Sequence, residues 1–201
     1  MSGSLGTNHT FALAGRASYA GLGLRYVGER NAGFDTAGTS QPNFRMPSYV
    51  LADLQGGVDF GTFQLALFVR NLSDRRAVLG ADGSRLPNSA RQSGSLGTNH
   101  TFALAGLASY AGLSLRYVGE RNAGFDTAGT SQPNFKMPSY TLIDLQGGVD
   151  FGAFQLALFV RNLSDQRAIL AADAALVAFG SPLRATVAQP RTFGATLTAS
   201  F

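Results

Sequence analysis

The sequence predicts an all-β chain, an antiparallel meander forming a small transmembrane β-barrel of about eight to ten strands. Three observations lead there. Apolar residues recur two apart rather than three and four apart, the period of strands. Tight glycine-containing breaks alternate with long polar loops, as expected of a barrel with short turns at one rim and long loops at the other. Nearly the whole pattern also occurs twice, so each strand of the first unit is found again in the second.

The clearest element is the run from Pro138 to Asp165, repeated from Pro47 to Asp74. Thr141, Ile143, Leu145, Gly147, Val149 and Phe151 fall on one face, with Asp144, Gln146, Gly148 and Asp150 on the other. Past Gly152-Ala153 the alternation resumes: Phe154, Leu156, Leu158 and Val160 oppose Gln155, Ala157 and Arg161. Two alternating runs around a short break read as a β-hairpin. Ahead of it, Leu96, Thr98, His100, Phe102 and Leu104 share one face of a first strand, and Leu113, Leu115 and Tyr117 one face of a second. The stretch from Asn122 to Pro138 is rich in Gly, Asn, Thr, Ser and Pro, which favour turns over a ladder. Each unit therefore has four strands. A ninth, from Thr192 to Phe201, alternates Phe193, Ala195, Leu197, Ala199 and Phe201 with small polar residues.

The repeat has a constant offset of 91 residues (93 − 2 and 173 − 82). Its differences are few, among them Arg16/Leu107, Gly23/Ser114, Val50/Thr141 and Ala52/Ile143. The loop from Asn31 to Phe44 recurs unchanged from Asn122 to Phe135. Packing preserves buried positions while loops drift, so identity through the loops marks a recent or deliberate duplication. The organisation read from it is one barrel in two parts: residues 1–92, a first four-stranded unit with its connecting loop, and residues 93–201, a second unit plus the terminal strand.

Composition narrows the function classes. With no cysteine, disulfides, thiolate nucleophiles and cysteine metal ligands are excluded. No apolar run approaches the roughly 20 residues of a membrane helix. The start, Met1-Ser-Gly-Ser-Leu-Gly-Thr, enters a strand pattern without a signal-peptide profile. The net charge of +4 is modest and the basic residues form no continuous stripe, so no nucleic-acid interface is expected. Alternation by itself fits either a membrane barrel, apolar face to lipid, or a soluble β-barrel or sandwich binding a small apolar ligand.

Candidate site residues follow from the polar faces. Arg25, Asp53, Asp59, Arg70, Arg116, Asp144, Asp150 and Arg161 are read as an ion network lining a lumen, acids meeting arginines across neighbouring strands. A paired-carboxylate catalytic site is the weaker account of the same acids. His9 and His100, copies of one position, lack the further ligands a metal site needs and read as interfacial side chains. No Gly-x-Ser-x-Gly elbow is present. Asn71 and Asn162, with Asp74 and Asp165, read as strand terminators bonding to local backbone. Tyr26, Tyr49, Tyr117, Tyr140, Phe44 and Phe135 suit interfacial girdles. No catalysis, cofactor or metal is expected.

The order Tyr140-x-x-x-Asp144-Leu145, Asn162-Leu163-x-Asp165, Pro190-Arg191-Thr192 and a strand ending in Phe201 resembles the C-terminus of TonB-dependent outer-membrane receptors. Arg85-Leu-Pro87 and Tyr117-Val-Gly-Glu-Arg121 resemble the segments preceding that region. The resemblance implies the last strands of a ligand-gated barrel in the bacterial outer membrane, taking up a siderophore, vitamin or glycan. It also implies partners: outer-membrane lipid, and the barrel-assembly machinery through a terminal strand whose Phe201 is the assembly signal. The family's plug and TonB-contacting segment have no counterpart here, so a structural or passive-pore role is expected, TonB is not expected as a partner, and self-association is open.

Overall fold

In the computed structural model the described residues are 2–31, 45–73, 88–123, 135–173 and 182–199. Their principal feature is a nine-stranded antiparallel sheet with strands in chain order. It comprises β1 (Ser2–Leu13), β2 (Arg16–Val27), β5 (Tyr49–Asp59), β6 (Phe63–Arg70), β7 (Ser93–Leu104), β8 (Leu107–Val118), β11 (Tyr140–Asp150), β12 (Phe154–Arg161) and β15 (Thr192–Ala199). Three two-stranded ribbons complete the described elements: β3 (Arg30–Asn31) with β4 (Arg45–Met46), β9 (Arg121–Asn122) with β10 (Lys136–Met137), and β13 (Ile169–Asp173) with β14 (Arg184–Val187). The four expected strands per unit and the terminal strand are all in the sheet. The ribbons were not foreseen, because two- to five-residue pairings inside loops leave too little sequence to show a period.

The tight connections lie at one rim. Ala14-Gly15 and Ala105-Gly106 join their strands with positive φ at both residues (50° and 76°; 52° and 82°). Positive φ at both central residues suits the right-handed twist of the flanking strands, and glycine supplies it without strain. The β5–β6 and β11–β12 turns are fastened by their acids. Asp59 accepts the Gly61 N–H at 2.7 Å and Asp150 the Gly152 N–H at 2.8 Å. Every ribbon belongs to a long connection at the opposite rim.

Register fixes the faces. Asp144 lies opposite Ser114, Gln146 opposite Gly112 and Gly148 opposite Tyr110, while Leu145 lies opposite Leu113 and Val160. Asp53, Gln55 and Gly57 repeat this against Gly23, Gly21 and Tyr19. A one-residue slip would exchange the faces, and no slip occurs along the nine strands. The doubled glycines have a packing reason on the polar face. A Cβ at Gly57 would stand 2.5 Å from the Tyr19 ring, and one at Gly148 2.5 Å from the Tyr110 ring.

The sheet is inside out by the standard of a water-soluble core. Among the described residues the buried hydrophobics are Ala123, Met137, Tyr140, Ala168, Ala172 and Ala188, all near the long-loop rim. The apolar face of the sheet is uncovered: Leu5, Leu67, Leu158, Phe193 and Leu197 are exposed, Leu197 at 68%. The sheet does not close. β1 and β15 are its two ends, and an odd number of antiparallel strands makes them run in the same direction. Among the described residues no ladder joins the terminal strand to the first strand; β15 instead pairs with β12.

Candidate functional site

The sheet curls round a cavity of about 1330 Å³, reached by strands from β1 to β12 and, at the long-loop mouth, by Leu170, Ala188 and Gln189. Its lining includes Tyr19, Asp59, Gln64, Arg116, Asp144 and Arg161. The registers place all eight residues of the expected ion network on this concave face.

Their bonding is specific. Asp53 accepts the Asn71 N–H at 2.9 Å, and Asp144 the Asn162 N–H at 2.7 Å. Asp59 also takes a side-chain bond from Gln64 at 3.2 Å. The guanidinium of Arg70 lies 5.1 Å from the Phe68 ring centre, and that of Arg161 5.0 Å from the Phe159 ring centre, within cation–π range. The register sets acids and arginines diagonally: Arg25 is opposite Leu51 while Asp53 is opposite Gly23, and Arg116 is opposite Leu142 while Asp144 is opposite Ser114. Asp53, Asp59, Asp144 and Asp150 are thus held by backbone and amide N–H groups, while Arg116 and Arg161 border the cavity.

Four residues of the Asn-Leu-x-Asp and Pro-Arg-Thr motifs meet in space. Asn162, buried and with φ of 51°, donates to the carbonyls of Gln166 (3.0 Å) and Gln189 (2.8 Å) and accepts from the Gln166 N–H (3.0 Å). Asp165 accepts the Arg191 N–H at 2.8 Å, and Arg191 reaches the Leu163 carbonyl at 3.4 Å. Asn71 has φ of 54° and donates to the Arg91 carbonyl at 2.8 Å. These asparagines end one strand and hold the chain that leads into the next. Asp74, Arg85 to Pro87, Phe44 and Phe201 lie outside the described residues.

The histidines are on the opposite face from the acids. His100 stacks on Phe102 at 5.4 Å and meets Phe63 at 6.4 Å; His9 stacks on Phe11 at 5.9 Å. The sheet itself separates these imidazoles from the concave carboxylates. Among the described residues no group of three metal-ligating side chains converges. Tyr26 and Tyr117 are exposed on the apolar face, whereas Tyr140 is buried beneath Arg121.

Arg121 is the residue that sequence reading passed over. It is buried, donates to the carbonyls of Ile169 and Leu170 at 2.5 Å, and lies 5.1 Å from the Tyr140 ring centre. Asn88 works beside it, bonded to both the N–H and the carbonyl of Ala172 and to the Asn122 carbonyl. Together they join β9–β10 to β13–β14 over a small core of Ala123, Met137 and Ala172. The available signal was an arginine repeated inside Tyr-Val-Gly-Glu-Arg, with nothing to say what it touches.

Residues 74–163 match the family model of the TonB dependent receptor-like β-barrel. The chain resembles a TonB-dependent receptor barrel. Two solved structures agree in fold. One is the copper transporter OprC, with a TM-score of 0.62 and 18% identity. The other is a mutant of the ferric enterobactin receptor PfeA from Pseudomonas aeruginosa, with a TM-score of 0.65 and 16% identity. In both, all of this chain aligns with 31% of the other, so it spans about a third of their length. No curated protein matches in sequence. The TonB-dependent receptor-like barrel segment includes the β6–β7 junction and the second hairpin up to Leu163.

Proposed function

We propose that the chain is a wall of an outer-membrane barrel whose apolar face meets lipid and whose concave face lines a passive aqueous lumen. The observation that carries this reading is the uncovered apolar face, flanked by aromatics. Tyr26 and Tyr117 stand near the long-loop ends, and Phe11, Phe63, Phe102 and Phe154 near the tight-turn ends. Phe11 is opposite Ser18; from that level to Tyr26 is eight residues, a rise of about 26 Å along the strand. With the usual tilt of about 40° this projects to about 20 Å, most of the apolar band of about 25 Å in such barrels. A soluble barrel holding an apolar ligand would need these side chains on the concave face, and they project the other way.

The solved structures of like fold are named for copper transport and for a ferric enterobactin receptor. By that likeness the parent activity is uptake of a scarce ligand such as a siderophore, vitamin or glycan. Arg25, Arg70, Arg116 and Arg161, with Asp53, Asp59, Asp144 and Asp150, give the lumen its polar lining, and Phe201 serves the assembly machinery. Refolding decides the membrane reading. Sheet signal and a heat-modifiable gel shift should appear in detergent or vesicles only, and a monodisperse monomer without detergent would refute it. Steady single-channel current should accompany insertion; a silent bilayer holding folded protein would leave a purely structural wall.

A further inference from the structure

The two ends of the sheet are related through sequence to a pairing already formed at its centre. β1 and β7 have the same twelve residues, Ser-Gly-Ser-Leu-Gly-Thr-Asn-His-Thr-Phe-Ala-Leu. β6 and β12 have the same eight, Phe-Gln-Leu-Ala-Leu-Phe-Val-Arg. β6 pairs with β7 from Phe63↔His100 to Arg70↔Ser93. The edge of β12 that would make the same ladder is occupied by β15, from Phe154↔Ala199 to Arg161↔Thr192. Among the described residues the edge of β1 that would receive it is open.

We propose that β1 and β15 compete for one edge of β12. In the second state β12 pairs with β1 of the same chain in the β6–β7 register, from Phe154 opposite His9 to Arg161 opposite Ser2, and closes an eight-stranded antiparallel barrel.

Ladder length does not separate the states, since each pairing aligns the same eight residues of β12 or its copy. Side-chain faces are also kept. Ala66 is opposite Gly97 and Ala157 opposite Thr196, on the concave side in both cases. What differs is the number of bare edges. Among the described residues the sheet leaves one edge of β1 and one edge of β15 bare, and in hydrocarbon each unsatisfied backbone group is costly. Closure through β12 removes both edges and releases β15, small and polar on one face, toward water. Eight is the smallest strand number usual for such barrels. The curl already points this way, because Thr10 of β1 and Phe159 of β12 border one cavity.

With no native cysteine, disulfide trapping tests the exchange in the full chain, refolded in detergent. Gly6→Cys with Ala157→Cys reports the closed state. Ala157→Cys with Thr196→Cys reports the observed one, and Ala66→Cys with Gly97→Cys is the same pair within the sheet. A Cβ at Gly6 or Gly97 meets nothing within 4 Å. The control pair is expected to oxidise fully, and the two reporters each in part. Thr196→Pro with Leu197→Pro, which strips donors from β15, should raise the Gly6/Ala157 disulfide several-fold within one chain. Absence of that disulfide while the control forms, or its formation only between chains, overturns the proposal, the latter in favour of a second copy on the β1 edge.

Discussion

At the residue scale, Asn162 and Gly148 show how a side chain and its absence serve the same hairpin. Asn162 combines a left-handed backbone with three side-chain bonds in a buried site. Asn162→Ala should lower stability by about 2–4 kcal/mol, from lost bonds near 1 kcal/mol each and a backbone penalty of similar size. Urea titration in detergent measures it. Asn162→Gly should recover only the backbone part. Gly148→Ala should cost about 1–3 kcal/mol by overpacking against Tyr110, while Gly97→Ala, with open space around it, should stay near the small cost of an exposed change. Both residues were visible in the sequence, Asn162 as a strand terminator and Gly148 as a polar-face position. The ring resting on Gly148 was not, because only register brings Tyr110 opposite it.

At the scale of elements, the tight turns and the ribbons behave differently. Ala105 stands at φ of 52° before Gly106, where asparagine is favoured over a residue with a plain Cβ. Ala105→Asn should therefore stabilise the β7–β8 hairpin by about 0.5–1 kcal/mol, read from the denaturation midpoint. The ribbons depend on contacts between distant segments. Arg121→Met removes the bonds to the Ile169 and Leu170 carbonyls. Amide exchange should then quicken through β13 and β14 while β7 and β8 keep their protection. A uniform rise across the sheet would show that Arg121 supports the whole molecule instead.

At the scale of the molecule, the arrangement of faces governs stability in lipid. Leu158 is 55% exposed in the middle of β12. Leu158→Arg should cost about 2–4 kcal/mol in vesicles, as charge does near the centre of a bilayer. Thr196→Arg, on the concave face of the neighbouring strand, should stay within about 0.5 kcal/mol. Equal effects at the two sites would mean that the two faces see the same solvent.

The sequence alone determined the nine strands of the main sheet, their faces and their order of connection. Alternation and turn chemistry are local properties, and the repeat doubled each signal. It likewise marked Asn71, Asn162 and Asp165 as strand ends, although of their described side-chain bonds only those of Asn162 to Gln166 are local and the others reach backbone 20 to 27 residues away, at Arg91, Gln189 and Arg191. Tertiary structure decided which strand took which edge. β12 accepts either Thr192–Ala199 or a strand with the sequence of β1, and no local pattern ranks two ladders of equal length. It also decided that Asp53 and Asp144 bond strand-end N–H groups, that Arg70 and Arg161 lie over phenylalanine rings, and that Arg121 is buried. Each outcome depends on the register and curl that bring distant segments to one rim, and those are properties of the assembled sheet rather than of any stretch within it.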